Sequence, residues 1–320
     1  MKKDDMENVI AKDDPEYPEL LRQIGKEAPK QLYYKGNWEK AIFENCLAVV
    51  GSRRLTGYGK RAIEQLVGKI AAPRLSGGQA GITIVSGFMY GGDAAAHQAA
   101  VEAGGRTIAV MPCGIERIHP EYQKGLYNKI MENNGLIVSE YKGNRQPALW
   151  TYPRRNRIVA GLAKALLVVE AGDKSGSLIT ANYAKKFGRK IFALPGQIGS
   201  RLSEGTNRLI KEGAEMVLGA EDILRYFQDR SSHSDFFDRF SPKGALRASK
   251  KSKSLASKTQ EPDVSKLERR ILEELEIEPL GADELSRQLA VPAAELGVKL
   301  SLLEVGGIIE QEEGKWRIKE

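Results

Sequence analysis

Four short groups of glycine, serine, asparagine and basic residues stand beside strand-like apolar runs in this sequence. The groups are Gly51, Ser52 and Arg53; Ser86 and Gly87; Arg155, Asn156 and Arg157; and Lys174, Ser175 and Gly176. A turn between a strand and a helix exposes backbone N–H groups and the positive end of the helix dipole, which together bind phosphate. Arginine adds a planar charged fork that matches two phosphate oxygens. The groups predict a surface that binds phosphates, although the first group alone also fits a tight turn with two solvated arginines.

Catalytic and metal-binding side chains are not grouped in this way. The sequence has three histidines, His97, His119 and His233, and none has a second histidine or a carboxylate at ligand spacing. His97 lies in an alanine-rich helical stretch and is predicted to be a packed or hydrogen-bonded helix residue. Cys46 and Cys113 lie in or beside apolar runs, which predicts two reduced structural thiols. We therefore expect no catalytic residue, no metal, no cofactor and no enzymatic activity.

The elements that must position these groups alternate along the chain. Short apolar runs alternate with helical stretches from Leu47 to Leu218, which is typical of a parallel sheet covered by helices on both faces. The predicted strands are Leu47–Val50, Ile82–Val85, Thr107–Met111, Leu136–Val138, Ala165–Val169, Ile191–Leu194 and Glu215–Leu218. The predicted helices include Gly59–Ala72, Ala94–Ala103, Ala181–Phe187 and Asn207–Glu212. Asp93 is placed to be the N-cap of the second of these helices. The predicted fold class is α/β with a mainly parallel sheet.

Composition divides the chain into four predicted regions. Residues 1–46 form an N-terminal extension, in which a short helix and an edge strand dock onto the sheet. Residues 47–227 are the α/β domain. Residues 228–264 contain Ser-Lys repeats that are too polar to bury, which predicts a flexible linker. Residues 265–320 contain three helical patterns followed by two short strands, the order found in a winged helix-turn-helix.

Charge is distributed unevenly among these regions. The net charge of the 320 residues is +7, but residues 1–227 hold 33 Lys and Arg against 24 Asp and Glu, whereas residues 265–320 hold 8 against 13. A polyanion would meet the first region and be repelled by the last. The third helical pattern of this last region, Ala293–Glu304, is the candidate recognition helix, and it has one basic residue, Lys299, against Glu295 and Glu304. We therefore expect residues 265–320 to be a protein-contact or regulatory module and not a reader of duplex DNA.

Targeting and membrane signals are not found in the sequence. No apolar run approaches the roughly 20 residues of a membrane helix, and the N-terminus continues into polar sequence. We expect a cytoplasmic protein that does not enter a membrane.

A set of longer motifs resembles one known family. In chain order the motifs are Val50–Arg53, Ile84–Gly87, Gly91–His97, Gly104–Val110, Pro153–Leu162, Lys174–Ala181 and Phe192–Gly196. Together they resemble the DprA/Smf DNA-processing family over about Tyr17 to Leu224. The resemblance implies an extended Rossmann fold, binding of single-stranded DNA, and a homodimer formed through that domain. It also implies loading of RecA recombinase onto incoming DNA during natural transformation.

The resemblance assigns the family's backbone-binding pocket to the four groups that begin at Gly51, Ser86, Arg155 and Lys174. Two departures from the family pattern bear on this assignment. Residues 71–81 are longer than the usual turn, which affects the groove edge and the dimer contact, and residues 88–92 differ from the commoner sequence. The N-terminal helical domain of many members is not expected, because only about forty residues precede the first Rossmann strand.

Two alternative interpretations stay open. Gly57–Ala62 matches the dinucleotide spacing G-x-G-x-x-A but begins after the strand end, and Gly59 and Lys60 lack the following Ser or Thr of a P-loop. Residues 195–200 keep two glycines of a loop used by related nucleotide hydrolases but lack its adjacent glycine pair and its threonine. Because phosphate-binding turns can hold a small nucleotide as well as DNA, the first alternative is an enzyme or sensor for a nucleotide-derived small molecule. The second alternative is an interaction scaffold with a merely solubilising basic face, although such a scaffold would not need the Gly, Ser and Arg turns.

Overall fold

A computed structural model of the chain describes residues 8–73, 81–228, 266–277, 279–289, 291–305, 308–312 and 314–318. These residues belong to two compact units. Of the predicted linker, residues 228–264, only Gln228 lies within the described residues. Of the predicted insertion, residues 71–81, only its first three residues and Gly81 do.

The first unit is built on a nine-stranded sheet. In chain order the strands are β1 Asn8–Ala11, β2 Gln31–Gly36, β3 Cys46–Val50, β4 Thr83–Ser86, β5 Thr107–Gly114, β6 Leu136–Tyr141, β7 Ala165–Val168, β8 Lys190–Ala193 and β9 Glu215–Met216. In space the order is β1, β2, β6, β5, β4, β3, β7, β8, β9. The seven strands from β6 to β9 are parallel, and β1 and β2 are antiparallel. The predicted α/β fold with a mainly parallel sheet is confirmed.

The N-terminal residues extend this sheet further than the sequence predicted. β2 pairs with β6, as a docked strand would, but β1 pairs outside β2, with Asn8 opposite Tyr34. The sequence predicts an edge strand over Gln31–Gly36, and this was wrong in one respect: the strand docks onto the sheet but is not its edge. β1 was not predicted from the sequence, because only Ile10 of its four residues is buried and the segment therefore has no apolar pattern.

Helices cover both faces of the sheet. They are α1 Glu19–Arg22, α2 Gly57–Ala71, α3 Gly92–Glu102, α4 Lys124–Glu132, α5 Thr151–Leu162, α6 Gly176–Lys186, α7 Glu204–Lys211 and α8 Ala220–Gln228. Alternate residues of β3 face the two layers: Ala48 lies in a core cluster with residues of α5 and α6, and Leu47 lies in one with residues of α2 and α3. Burial on both faces explains why β3 reads as a continuous apolar run. Among the described residues, no helix is long and apolar enough to cross a membrane.

The strand order creates a topological switch point between β3 and β7. The chain runs outward from β3 through β4 and β5 to β6, and then returns to place β7 on the other side of β3. In open α/β sheets, ligands bind outside the carboxyl ends of the strands at such a point. The turns that follow β3, β4 and β7 all leave the sheet at this carboxyl edge.

The second unit has the predicted winged-helix order. Its elements are α9 Lys266–Ile277, α10 Ala282–Leu289, α11 Ala293–Val305, β10 Ile309–Glu312 and β11 Lys315–Ile318. β10 and β11 form an antiparallel pair. Leu275, Leu285, Leu300 and Trp316 are buried together in its core. The sequence patterns predict these boundaries to within about one residue, as helices over Lys266–Glu276, Ala282–Leu289 and Ala293–Glu304 and strands over Ile308–Gln311 and Lys315–Ile318.

Candidate functional site

The turn after β3 is held in place from two sides. The Ser52 N–H donates to the backbone carbonyl of Glu170 at 2.7 Å, which ties this turn to the end of β7. The Arg53 guanidinium lies over the rings of Tyr90 and Tyr152, with its carbon 5.5 and 5.7 Å from their centroids. Both distances fall within cation–π range. Arg53 therefore extends along the carboxyl edge, between the loop after β4 and the start of α5.

The loop after β4 packs closely on this turn. The Gly92 N–H donates to the Ser52 carbonyl at 3.0 Å. Gly91 has φ +74°, and a Cβ there would collide with the Ser52 carbonyl oxygen, so only glycine fits. Ser86 is fully buried, and its hydroxyl donates to the Val49 carbonyl at 2.6 Å. Two of the predicted groups are thus adjacent, with Ser86 inside the protein.

Asp93 is not the N-cap of α3, and that prediction was wrong. Gly91 occupies the N-cap position, and the helix starts at Gly92 because the positive φ at Gly91 turns the chain into the helix earlier than the alanine pattern suggested. Asp93 lies buried in the first turn and accepts a hydrogen bond from the Met89 N–H at 3.3 Å. Burial raises the pKa of Asp93, and the nearby Arg155 guanidinium offsets part of this effect.

Arg155 lies inside the protein, on a helix that the sequence pattern did not predict. It is 4% exposed on α5, and its Nη1 donates to the backbone carbonyls of Gly87 and Val110. Its Nε donates to the Asn156 side-chain oxygen at 3.2 Å. Burial lowers the pKa of Arg155, and the carboxylate of Asp93 acts against this shift. Arg155 therefore joins α5 to the loop after β4 and to β5.

Arg157 is also buried, at 5% exposure, and pairs with Glu140 of β6 at 2.6 Å. Arg154 contacts the same carboxylate from the more exposed side, at 3.1 Å. One acidic residue thus balances two of the three arginines in this segment. The arrangement fixes α5 against β6.

The turn after β7 carries the most exposed of the predicted groups. Lys174 is exposed, and Ser175 is the N-cap of α6, where its hydroxyl accepts from the Ser177 N–H at 3.3 Å. The first turn of α6 has no acidic residue, and a Cβ at Gly176 would meet no described atom within 4 Å. The Asn156 side chain donates to the Gly176 carbonyl through a long 3.4 Å hydrogen bond. The start of α6 is therefore open to an anion.

The start of α2, in contrast, is already occupied by a carboxylate. Glu170 is 3% exposed, and its side chain accepts from the Thr56 N–H at 2.8 Å and from the Thr56 hydroxyl. A Cβ at Gly59 would lie 2.7 Å from this carboxyl group. In a dinucleotide site, the pyrophosphate would lie at this helix end. Glu170 therefore argues against the dinucleotide interpretation of Gly57–Ala62, and its role was not identified from sequence.

An aromatic cluster near the start of α5, formed by the exposed Trp150 and the buried Tyr141, was also missed. Trp150 is 48% exposed, and the Arg145 guanidinium carbon lies 5.3 Å from its ring centroid and 4.8 Å from that of Tyr141. The Gly114 N–H donates to the Arg145 carbonyl at 2.9 Å, which anchors the loop to β5. Basic and aromatic residues alternating in one polar segment were the available sequence signal. Such clusters stack on unpaired nucleobases.

His97 and the two cysteines have structural environments. His97 is fully buried and shares a 2.7 Å hydrogen bond with the Thr107 hydroxyl, and burial lowers its pKa to about 3. The expectation of a hydrogen-bonded helix residue is confirmed for His97. Burial raises the pKa of the Cys46 thiol to about 12 and that of Cys113 to about 11. In the described ranges, no three His, Cys, Asp or Glu side chains are placed to hold a metal ion.

Comparison with known families identifies the chain. The family described as DNA recombination-mediator protein A matches residues 8–228. The chain belongs to the DprA/Smf DNA-processing family. The DprA winged helix domain matches residues 256–315. The resemblance stated from the sequence motifs is confirmed.

Similar DprA/Smf proteins come from several bacteria. DNA processing protein DprA of Streptococcus pneumoniae is 41% identical over 212 residues, which cover 66% of this chain and 71% of that protein. Protein Smf of Escherichia coli is 41% identical over 221 residues, which cover 69% of this chain and 57% of that protein.

Solved DprA structures have the same fold as the first unit. The X-ray structure of S. pneumoniae DprA matches with a TM-score of 0.63 and 38% identity, over 69% of this chain and 74% of that one. DNA processing protein A of Helicobacter pylori, described for its single-stranded DNA binding mode, matches with a TM-score of 0.58 and 29% identity, over 66% of this chain and 92% of that one.

Proposed function

We propose that the first unit binds the phosphate backbone of single-stranded DNA at the carboxyl edge of its sheet. One observation carries this proposal: the four predicted groups converge on one edge. Hydrogen bonds join the turn after β3 to those after β4 and β7, Arg155 joins α5 to the loop after β4, and Asn156 joins α5 to the start of α6. Convergence of basic and glycine-rich turns is what a chain of phosphates requires.

The eleven predicted residues divide into three roles according to their exposure and contacts. Arg53, Lys174, Ser175 and Gly176 are open to solvent to different degrees and are suited to contact phosphate. The buried side chains of Ser86, Arg155 and Arg157 hydrogen-bond within the protein, and we assign them to positioning the turns. Neighbouring segments approach each other closely at the remaining four residues, which are Gly51, Ser52, Gly87 and Asn156. A Cβ at Gly87, for example, would collide with the Arg155 guanidinium.

We assign the contacts to bases to the aromatic cluster of Tyr141 and Trp150, and these contacts do not depend on the base sequence. Every nucleobase has a π-face, so stacking on Trp150 tolerates any sequence, and Arg145 adds a cation beside it. A duplex hides these faces within its stack. The cluster therefore favours single strands over duplex DNA.

At the level of the whole chain, the proposed function is that of a cytoplasmic recombination mediator without enzymatic activity. The description of the matched family supports this role. In it, the chain protects incoming single strands, acts as a homodimer through the first unit, and loads RecA recombinase. The acidic second unit contacts protein or regulates binding.

The test of the proposed site is a salt titration of single-strand binding. Arg53→Ala and Lys174→Ala should each weaken binding and lower the slope of log K against log salt by about 0.7, because each removes one phosphate contact. Lys26→Ala is the matched control, since Lys26 is exposed beside α1, and α1 packs on the far end of α5. Unchanged affinity in both site variants would refute the assignment.

RecA loading and dimerisation are tested separately. RecA filament formation on single strands coated with single-strand-binding protein should accelerate when the chain is added, and sedimentation should give twice the monomer mass. If filament formation does not accelerate, the proposed loading role is refuted, and if the measured mass is that of a monomer, the proposed dimer is refuted. Neither result bears on the proposed DNA site.

A further inference from the structure

A shallow groove opens beside the turn after β3, between the starts of α2 and α3. Its volume is about 380 Å³. The lining includes Leu55, Ala94, Ala95 and Leu126, with Lys60 and Gln98 as polar groups. Ligand sites share this composition, being mostly apolar with a few polar groups, and range from about 300 to 1,000 Å³.

The groove is continuous with the candidate phosphate site. Gly91 lines it, and a Cβ on Gly91 would collide with the carbonyl oxygens of Ser52 and Arg53. Leu55, two residues after Arg53, forms another part of the lining. A nucleotide whose phosphate lies at the turn after β3 therefore has its base within reach of the groove.

The chemistry of the groove suits a nucleobase better than a phosphate. The Glu170 carboxylate already accepts from Thr56, which lines the groove, so a second anion there would be repelled. Ala94 and Ala95 leave space for a flat apolar ring. The Lys60 ammonium donates hydrogen bonds, and the Gln98 amide both donates and accepts them, so together they match the polar edge of a base.

We infer that this groove binds one unpaired nucleobase of the strand whose phosphate lies at the turn formed by Gly51, Ser52 and Arg53. The inference rests on the proposed function, because it needs a bound single strand. A base in a duplex is paired and stacked, so the groove adds a second source of preference for single strands besides Trp150.

Filling the groove in the full chain tests the inference. Ala95→Leu adds volume with a good helix former, and Ala94→Leu is an independent second variant. The probes are a thymidine oligonucleotide and an abasic oligonucleotide of equal length. Ala95→Leu should weaken binding of the thymidine strand roughly tenfold, equivalent to about 1.4 kcal/mol, and leave binding of the abasic strand unchanged. The salt slope should equal that of the wild type, because no phosphate contact is lost.

One control and one further variant make the result specific. Ala282→Leu adds the same side chain at an exposed helix position of the second unit and should change neither affinity. Gln98→Ala adds no volume, so it should weaken binding of the thymidine strand even if the leucine variants fold poorly by circular dichroism.

Each outcome decides between the two proposals. If the wild type binds the thymidine strand and the groove variants bind it equally well, or lose affinity equally for both strands, the inference is overturned and the proposed function stands. If the wild type binds neither strand, both are overturned. Tighter binding of free thymidine monophosphate than of the strand would also overturn both and favour a small-molecule site.

Discussion

Replacing Arg155 with methionine tests whether this buried arginine positions the site or contacts DNA. Its Nη1 donates to the carbonyls of Gly87 and Val110, and its guanidinium offsets the effect of burial on Asp93. Methionine has a similar length and no donor. The change therefore leaves two buried carbonyls without this donor and a buried carboxyl without its neighbouring cation.

The expected loss follows from these contacts. Removing one partner of a buried charge pair costs about 3–5 kcal/mol. If Asp93 takes up a proton instead, the cost comes from the two carbonyls, at about 1–3 kcal/mol each. We expect the free energy of unfolding of the first unit to fall by about 3–5 kcal/mol, a large share of the about 5–15 kcal/mol that holds a domain folded.

The assay is urea unfolding of the full chain followed by circular dichroism. Arg154→Met is the matched control: Arg154 is the neighbouring residue, its side chain is 50% exposed, and its ion pair should be worth less than about 1 kcal/mol. A double variant with Asp93→Asn should recover part of the loss, because the uncompensated carboxyl is gone. Equal losses in the two methionine variants would refute the reasoning. A salt slope lowered by about 0.7 in folded Arg155→Met would show a phosphate contact instead.

Three further predictions concern other parts of the chain. Trp150→Ala should weaken single-strand binding by about 1–3 kcal/mol in fluorescence anisotropy, whereas the neighbouring Leu149→Ala should not; equal effects would speak against stacking. The free energy of unfolding should fall below pH 6.5 by up to about 1.4 kcal/mol per pH unit, because His97, with a pKa near 3 when folded, binds a proton first in the unfolded chain. Urea titrations at several pH values should show a shallower fall in His97→Gln, and an unchanged fall would contradict this origin. A 265–320 fragment should leave duplex DNA unbound at about 10 μM and physiological salt in a mobility-shift assay, since Lys299 and Arg317 are paired with carboxylates; micromolar binding would contradict it.

Local pattern was sufficient for the seven strands from β3 to β9, the winged-helix order and the turns at the carboxyl edge. The five residues of β3 are all buried, and a strand buried on both faces is recognisable in the sequence as one continuous apolar run. Signals of this kind depend on neighbours within one segment, which a sequence displays.

Helix α5 was missed because its first turns lack an apolar period. Arg154, Arg155 and Arg157 occupy positions where the sequence suggests a solvated face, and the buried apolar side chains begin only at Ile158. Local propensity gave no reason to bury an arginine. The packing of α5 on the sheet supplies that reason.

The sequence by itself determined that glycine, serine and basic groups follow the strands, and it determined the family. Only the tertiary structure decided which of these groups face inward. The carbonyls that bind Arg155 lie 68 and 45 residues away, and the carboxylate that occupies the start of α2 lies 114 residues from Thr56. A side chain becomes a structural link or a ligand contact according to the partners that strand pairing brings to it, and those partners are not encoded in its own segment.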